Sequence, residues 1–235
     1  MVGLKFGTAQ NPATTWASNA LVADRVARRY PQARIVALST GNVYPFSPIS
    51  AGGSLETAPL TPVGEYANSA VARERFLEFH SLQAGTPVAL MRLFYAVDLR
   101  YGVLVDLARK VVQGQPIDLA SGAFNCIWQG DANELILRAL GLAGSPPTAW
   151  NLCQPEIFSV REMAIRLGEL LGCPPTFVGQ EAATALLGNS AKLCQALGAP
   201  ALPMETLLRW VSYWVKNSAR YLDKPTHFEV RDGQY

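Results

Sequence analysis

The sequence predicts an α/β fold, a parallel sheet followed by a smaller and mostly helical part. Two observations carry this. Arg34-Ile-Val-Ala-Leu-Ser39 and Pro87-Val-Ala-Leu-Met-Arg92 are apolar runs without polar alternation, the pattern of strands covered on both faces by helices. A loop and one helical stretch separate them, and strand, crossover helix and strand make up the parallel unit of α/β folds.

Taken in order, Leu21, Val22 and Val26 recur at helical spacing opposite Asp24, Arg25, Arg28 and Arg29, and Pro31 closes the pattern, so a helix is expected over about 13 to 30. The first strand follows at 34 to 39. Residues 45 to 62 are rich in proline and contain Gly52-Gly53, a loop longer than the roughly 12 to 15 residues beyond which loops are usually functional. A helix from about Gly64 to Gln83 leads to the second strand.

Beyond residues 95 to 100 the texture changes, which sets an expected division into 1–97 and 98–235. The second part predicts a helix at about 102 to 113, short extended pieces at Pro116–Leu119 and Asn125–Trp128, and a helix opened by Asp131. Ser159-Val-Arg-Glu162 is a capping-box start for a helix to Leu171. Two more helices are expected near 190 to 197 and 203 to 217, and the tail from Lys224 alternates like an edge strand or a docking arm.

The 235 residues are 49% hydrophobic and 16% charged, enough apolar surface to offset the entropy of ordering the chain. Twenty basic and 18 acidic side chains leave a net charge of +2, which argues against nucleic acid as a partner. Cys126, Cys153, Cys173 and Cys194 show no C-x-x-C spacing, and His80 and His227 stand far apart. No metal site is expected, and unpaired cysteines fit a reducing compartment. No apolar run reaches the roughly 18 to 20 residues of a membrane helix, so the expectation is a cytoplasmic protein with no membrane partner.

Two stretches could carry chemistry. Ser39-Thr40-Gly41-Asn42-Val43-Tyr44 lies at the carboxyl end of a buried strand, where open α/β sheets bind ligands, although the same hydroxyls suit a capped turn. Glu65-Tyr66-Ala67-Asn68-Ser69-Ala70 opens the next helix, where a lone tyrosine is ordinarily a packed ring with a polar tip.

Together these stretches resemble the extended short-chain dehydrogenase/reductase superfamily, the NAD-dependent epimerase/dehydratase group. Thr40-Gly-Asn-Val-Tyr44 matches its strand-end hydroxyl followed by x-x-V-Y, and the proline-rich loop then leads to the tyrosine. Arg92-Leu-Phe-Tyr-Ala-Val97 is similar to the family's R-x-x-N-x-Y, with Tyr95 in place of asparagine. Phe124 to Glu134 resembles the stretch before its D-x-A helix, and Asn151-Leu-Cys through Ser159-Val-Arg-Glu162 its N-x-G…S-V-R-E.

The resemblance implies a partial Rossmann-like sheet and an oxidoreductase acting on a nucleotide-sugar or similar hydroxyl or keto substrate with NAD or NADP. It assigns catalysis to Thr40, Tyr66 and Asn19. Gly3, Lys5, Ser39, Tyr66, Arg73 and Tyr95 fall at cofactor positions, and Asn42, Tyr44, Trp128 and Gln129 at substrate positions. The phenol's usual helper, a lysine four residues on, is Ala70 here; Arg73 and Lys5 are the candidate substitutes. Family members commonly dimerise through the helices at 13–30 and 64–83, while packing of both helices on their own sheet is the alternative.

The family's G-x-x-G-x-x-G turn does not occur in this sequence, and Met1-Val-Gly3 resembles the end of its fourth strand. Two readings follow. One is a shortened, inactive epimerase/dehydratase-like chain; the other is a noncatalytic ligand-binding or interaction protein derived from that fold.

Overall fold

The structure, a computed structural model, describes residues 3–217, 220–224 and 226–234. Its centre is a three-stranded parallel sheet of β1 (Ile35–Thr40), β2 (Val88–Leu93) and β3 (Thr148–Leu152), with β2 in the middle. Ile35 pairs with Val88 and runs in register to Thr40 opposite Leu93, while Ala89 to Leu93 pair with Thr148 to Leu152. The two strands expected from sequence are therefore parallel neighbours. The third comes from the second part of the chain, so the sheet joins both halves.

Side chains of β2 alternate between two covered faces. Val88 and Leu90 pack with Ala27 and Leu77 of helices α2 (Val22–Arg29) and α3 (Gly64–Ala84). Ala89 and Met91 pack on the other side with Ala132, Leu135 and Ala139 of α5 (Gln129–Arg138) and the turn after it. Burial on both faces explains why neither strand shows polar alternation. The largest core lies in the second half, where α4 (Val103–Val112), α6 (Val160–Leu171) and α8 (Met204–Lys216) bury Leu104, Leu107, Leu167, Leu208 and Val211 around Phe124. The short α7 (Ala191–Leu197) packs beside β3.

The structure departs from the sequence-based expectation in two places. The helix over 13 to 30 is divided into α1 (Pro12–Trp16) and α2 by a π-helical turn at Ala17–Leu21. Asp131 does not cap α5, which begins two residues earlier; its carboxylate accepts the Leu202 backbone N–H at 2.9 Å. The tail forms no strand among its described residues and packs as an arm. The Ser159 cap is as expected, its hydroxyl accepting the Glu162 N–H at 3.3 Å. No helix among the described residues is long and apolar enough to cross a membrane.

Candidate functional site

A crevice opens at the carboxyl ends of β1 and β2. It is a cavity of about 180 Å³ lined by Lys5, Thr40, Asn42, Tyr66, Tyr95 and Thr226 among others. Thr40 ends β1 and caps the following tight turn, its hydroxyl accepting the Asn42 N–H at 3.2 Å. The turn needs Gly41 because a Cβ there would sit 2.4 Å from the Phe94 ring, which forms part of the cavity wall. Tyr66 comes from the first turn of α3, and its phenol shares a hydrogen bond with the Thr40 side chain. The hydroxyl and the phenol thus meet in one crevice.

Burial pushes the Tyr66 phenol above its ordinary value, and the Thr40 hydrogen bond and the Arg73 charge oppose that shift. The phenol keeps its proton at neutral pH, a state suited to donating to a developing oxyanion. Arg73 lies two turns along α3. It donates from Nε to the Asn19 carbonyl at 2.7 Å and from a terminal nitrogen to the Leu38 carbonyl. Ala70, four residues on from Tyr66, packs with Val43, Tyr44 and Phe94 and brings no charge.

Asn19 sits on the π-helical turn, 1% exposed. Its Oδ1 accepts the Leu4 N–H at 2.7 Å, and its Nδ2 donates to the Leu4 carbonyl at 2.8 Å and to Ser69 Oγ at 2.9 Å. The wider turn holds this amide against the segment carrying Lys5. Gly3 lies beside it, its absent Cβ 3.2 Å from Asn19 Oδ1 and 3.4 Å from an Arg73 nitrogen. Lys5 lines the crevice, and burial lowers its ammonium to about 8 against the opposing pull of Asp106.

Other sequence candidates lie elsewhere. Tyr44 is buried in a polar network and does not line the cavity: its hydroxyl donates to Asn151 Oδ1 at 2.9 Å and accepts from Arg92 at 2.6 Å. Arg92 makes two further bonds to the Glu74 carboxylate at 2.6 and 3.0 Å, and Ser39 donates to the same carboxylate at 2.5 Å. Ser39 borders the crevice, yet its hydroxyl is spent on Glu74. Trp128 lies edge-on to Trp210 at 5.7 Å against the helical core, and Gln129 is exposed at the start of α5. Neither reaches the crevice.

Three residues near the crevice were not singled out from sequence. Tyr101 and Thr226 line it, and Asp106 on α4 binds the Thr226 N–H at 3.1 Å. Burial raises the Asp106 carboxyl and pushes the Tyr101 phenol up to about 12. A usable signal existed for Asp106, the lone acid in the apolar run Val103-Leu-Val-Asp-Leu-Ala108.

A parallel sheet covered by helices on both faces, with a crevice at its carboxyl edge, makes the chain a Rossmann-like α/β protein. The profile of the NAD dependent epimerase/dehydratase family matches residues 2–153, and the chain belongs to that family. Solved structures of similar fold include RMD from Pseudomonas aeruginosa complexed with NADPH, at 18% identity and TM-score 0.79, covering 93% of this chain and 80% of that one. UDP-glucose 4-epimerase from Thermus thermophilus with NAD is similar at 20% identity and TM-score 0.75, covering 93% and 76%. UDP-glucuronic acid 4-epimerase from Bacillus cereus with UDP-glucuronic acid and NAD is similar at 14% and 0.75, covering 92% and 73%. A comparison with curated protein sequences gives no match.

Proposed function

We propose that this chain carries the reacting half of an NAD(P)-dependent epimerase or dehydratase site that acts on a hydroxyl or keto carbon of a nucleotide-sugar. The observation supporting it is the shared hydrogen bond of Thr40 and Tyr66 in a crevice at the sheet's carboxyl edge. Thr40 orients the substrate oxygen, Tyr66 moves the proton at that oxygen, and the Arg73 charge favours the phenolate. A bound nicotinamide would supply the hydride acceptor or donor. Lys5 and Tyr95 suit the reacting end of such a cofactor, both lying in the crevice. The pyrophosphate end is not matched: the sequence has no G-x-x-G-x-x-G turn to present backbone N–H groups at a helix start. We therefore assign these 235 residues little dinucleotide affinity and no turnover by themselves.

A noncatalytic, ligand-binding role is the second reading, favoured by the apolar packing of Ala70. Titration with NADH and with UDP-glucose, followed by fluorescence and calorimetry, separates the two. The expected result is no NADH binding below about millimolar concentration. Submicromolar NADH affinity sinks the assignment of low cofactor affinity, and saturable UDP-glucose binding that Tyr66→Phe leaves unchanged favours the second reading.

Association into a homodimer through α1, α2 and α3 belongs to the same proposal. These helices and the π-helical turn between the first two expose Trp16, Leu21, Phe76, Phe79 and Leu82, the kind of apolar surface that marks an interface.

A further inference from the structure

The chain end crosses back over the crevice after α8. Thr226 is 2% exposed and forms part of the cavity wall. Its N–H and hydroxyl both donate to Asp106 Oδ2, and its carbonyl accepts from Lys5 Nζ at 3.4 Å. The His227 ring lies 5.8 Å from that of Phe6. Phe228, 3% exposed, is buried among α4, α6 and α8, and Glu229 pairs with Lys110.

Further along, Arg231 donates to the Ala120 carbonyl at 3.2 Å, the Thr184 carbonyl at 2.9 Å and Thr184 Oγ1 at 2.7 Å. The segment ends against the start of the tyrosine helix. Gly233, at φ +75°, lies so close that a Cβ there would be 2.4 Å from the Val63 carbonyl oxygen. The arm therefore runs from α4 to the residue before α3, with the crevice under its first residue.

We propose that residues 226–233 are a strap that closes the Thr40–Tyr66 crevice and must swing away before a ligand of nucleotide size can occupy it. Size decides this. With Thr226 in its wall the cavity is about 180 Å³, whereas sites for drug-sized ligands take roughly 300 to 1,000 Å³. Thr226 and Phe228 are buried anchors; the attachments beyond them, the Glu229–Lys110 ion pair and the Arg231 hydrogen bonds, lie on partly exposed groups and are each a modest net contribution. That the displaced ligand is a nucleotide-sugar rests on the function proposed above; closure itself does not.

Closure is tested without a ligand. Lys5 lies beneath the strap, and Lys216 is exposed on α8 as an internal reference. Trace acetylation with mapping by mass gives the ratio of the two rates. In Arg231→Ala/Gly233→Val, which leaves Phe228 in place, the Lys5 to Lys216 ratio should rise at least tenfold with an unchanged far-UV spectrum. An unchanged ratio overturns the strap. Hydrogen exchange on the unaltered protein gives a second check if that variant fails to fold. Amides of 226–233 should open at least a hundredfold more often than those of β2 and α4, and equal protection would make the segment ordinary core. Failure of nucleotide-sugar binding would leave both results standing.

Discussion

At the scale of single residues, the decisive group is the Tyr66 phenol. Burial raises its pKa, while Thr40 and Arg73 work against the shift. Below its pKa, the fraction present as phenolate increases about tenfold per pH unit. Any turnover in which Tyr66 accepts a proton should therefore climb through pH 7 to 9 without levelling, and turnover in which it donates should be flat over that range. Positioned proton transfer contributes about a hundredfold to ten-thousandfold, so wherever turnover is measured Tyr66→Phe should lower kcat by at least a hundredfold, and retained turnover would remove the phenol from the reaction. The pair was legible in the sequence because a strand-end hydroxyl and a helix-start tyrosine stand in a recognisable frame. The same frame puts Tyr44 at a substrate position, whereas the structure holds its hydroxyl in a buried polar network. Its neighbours in sequence do not disclose that Arg92 and Asn151, 48 and 107 residues away, close around its hydroxyl.

At the scale of elements, β1, α3, β2 and β3 are locked together by one buried polar cluster. Glu74 on α3 takes two bonds from Arg92 on β2 and one from Ser39 on β1, and Arg92 continues through Tyr44 to Asn151 on β3. Removing one member of a buried pair leaves an uncompensated charge, at a cost of about 3 to 5 kcal/mol. Glu74→Ala should lose stability of that order in urea unfolding, far more than Glu78→Ala, whose exposed pair with Arg75 should matter by less than about 1 kcal/mol. Equal effects would show that the cluster is not a keystone. Helices such as α6 and α8 were legible because apolar residues recur along them at helical spacing, whereas α3, the longest, has almost no such periodicity. The π-helical turn was not legible, since the Asn19 amide it carries bonds Leu4 and Ser69, partners distant in sequence. The two-residue strands Ser47-Pro48 and Thr184-Ala185 are likewise fixed by a partner distant in sequence, whereas the extended piece expected at Pro116–Leu119 is present as Ile117-Asp118.

At the scale of the whole molecule, the apolar outer face of α1, α2 and α3 is the surface on which self-association is expected. Phe79 is 55% exposed and Leu82 62%. Sedimentation velocity should report a dimer that Phe79→Glu converts to monomer at equal concentration; a monomeric parent protein would dismiss this interface. The sequence announced both helices and their apolar residues but not which of these faced outward, because that depends on how much of each helix the sheet covers.

The free side of the sheet has a further consequence. Among the described residues β1 pairs only with β2, and the Ile35 N–H on the Pro87 carbonyl fixes the odd-numbered residues of β1 toward that partner. Leu38 therefore turns its carbonyl outward, and there the Arg73 guanidinium takes it. The arginine that tempers the phenol is thus also a stopper on the open margin of the sheet, occupying a main-chain acceptor that an incoming strand would need. Neutralising this one side chain should therefore raise the phenol further and bare a main-chain acceptor on that margin together.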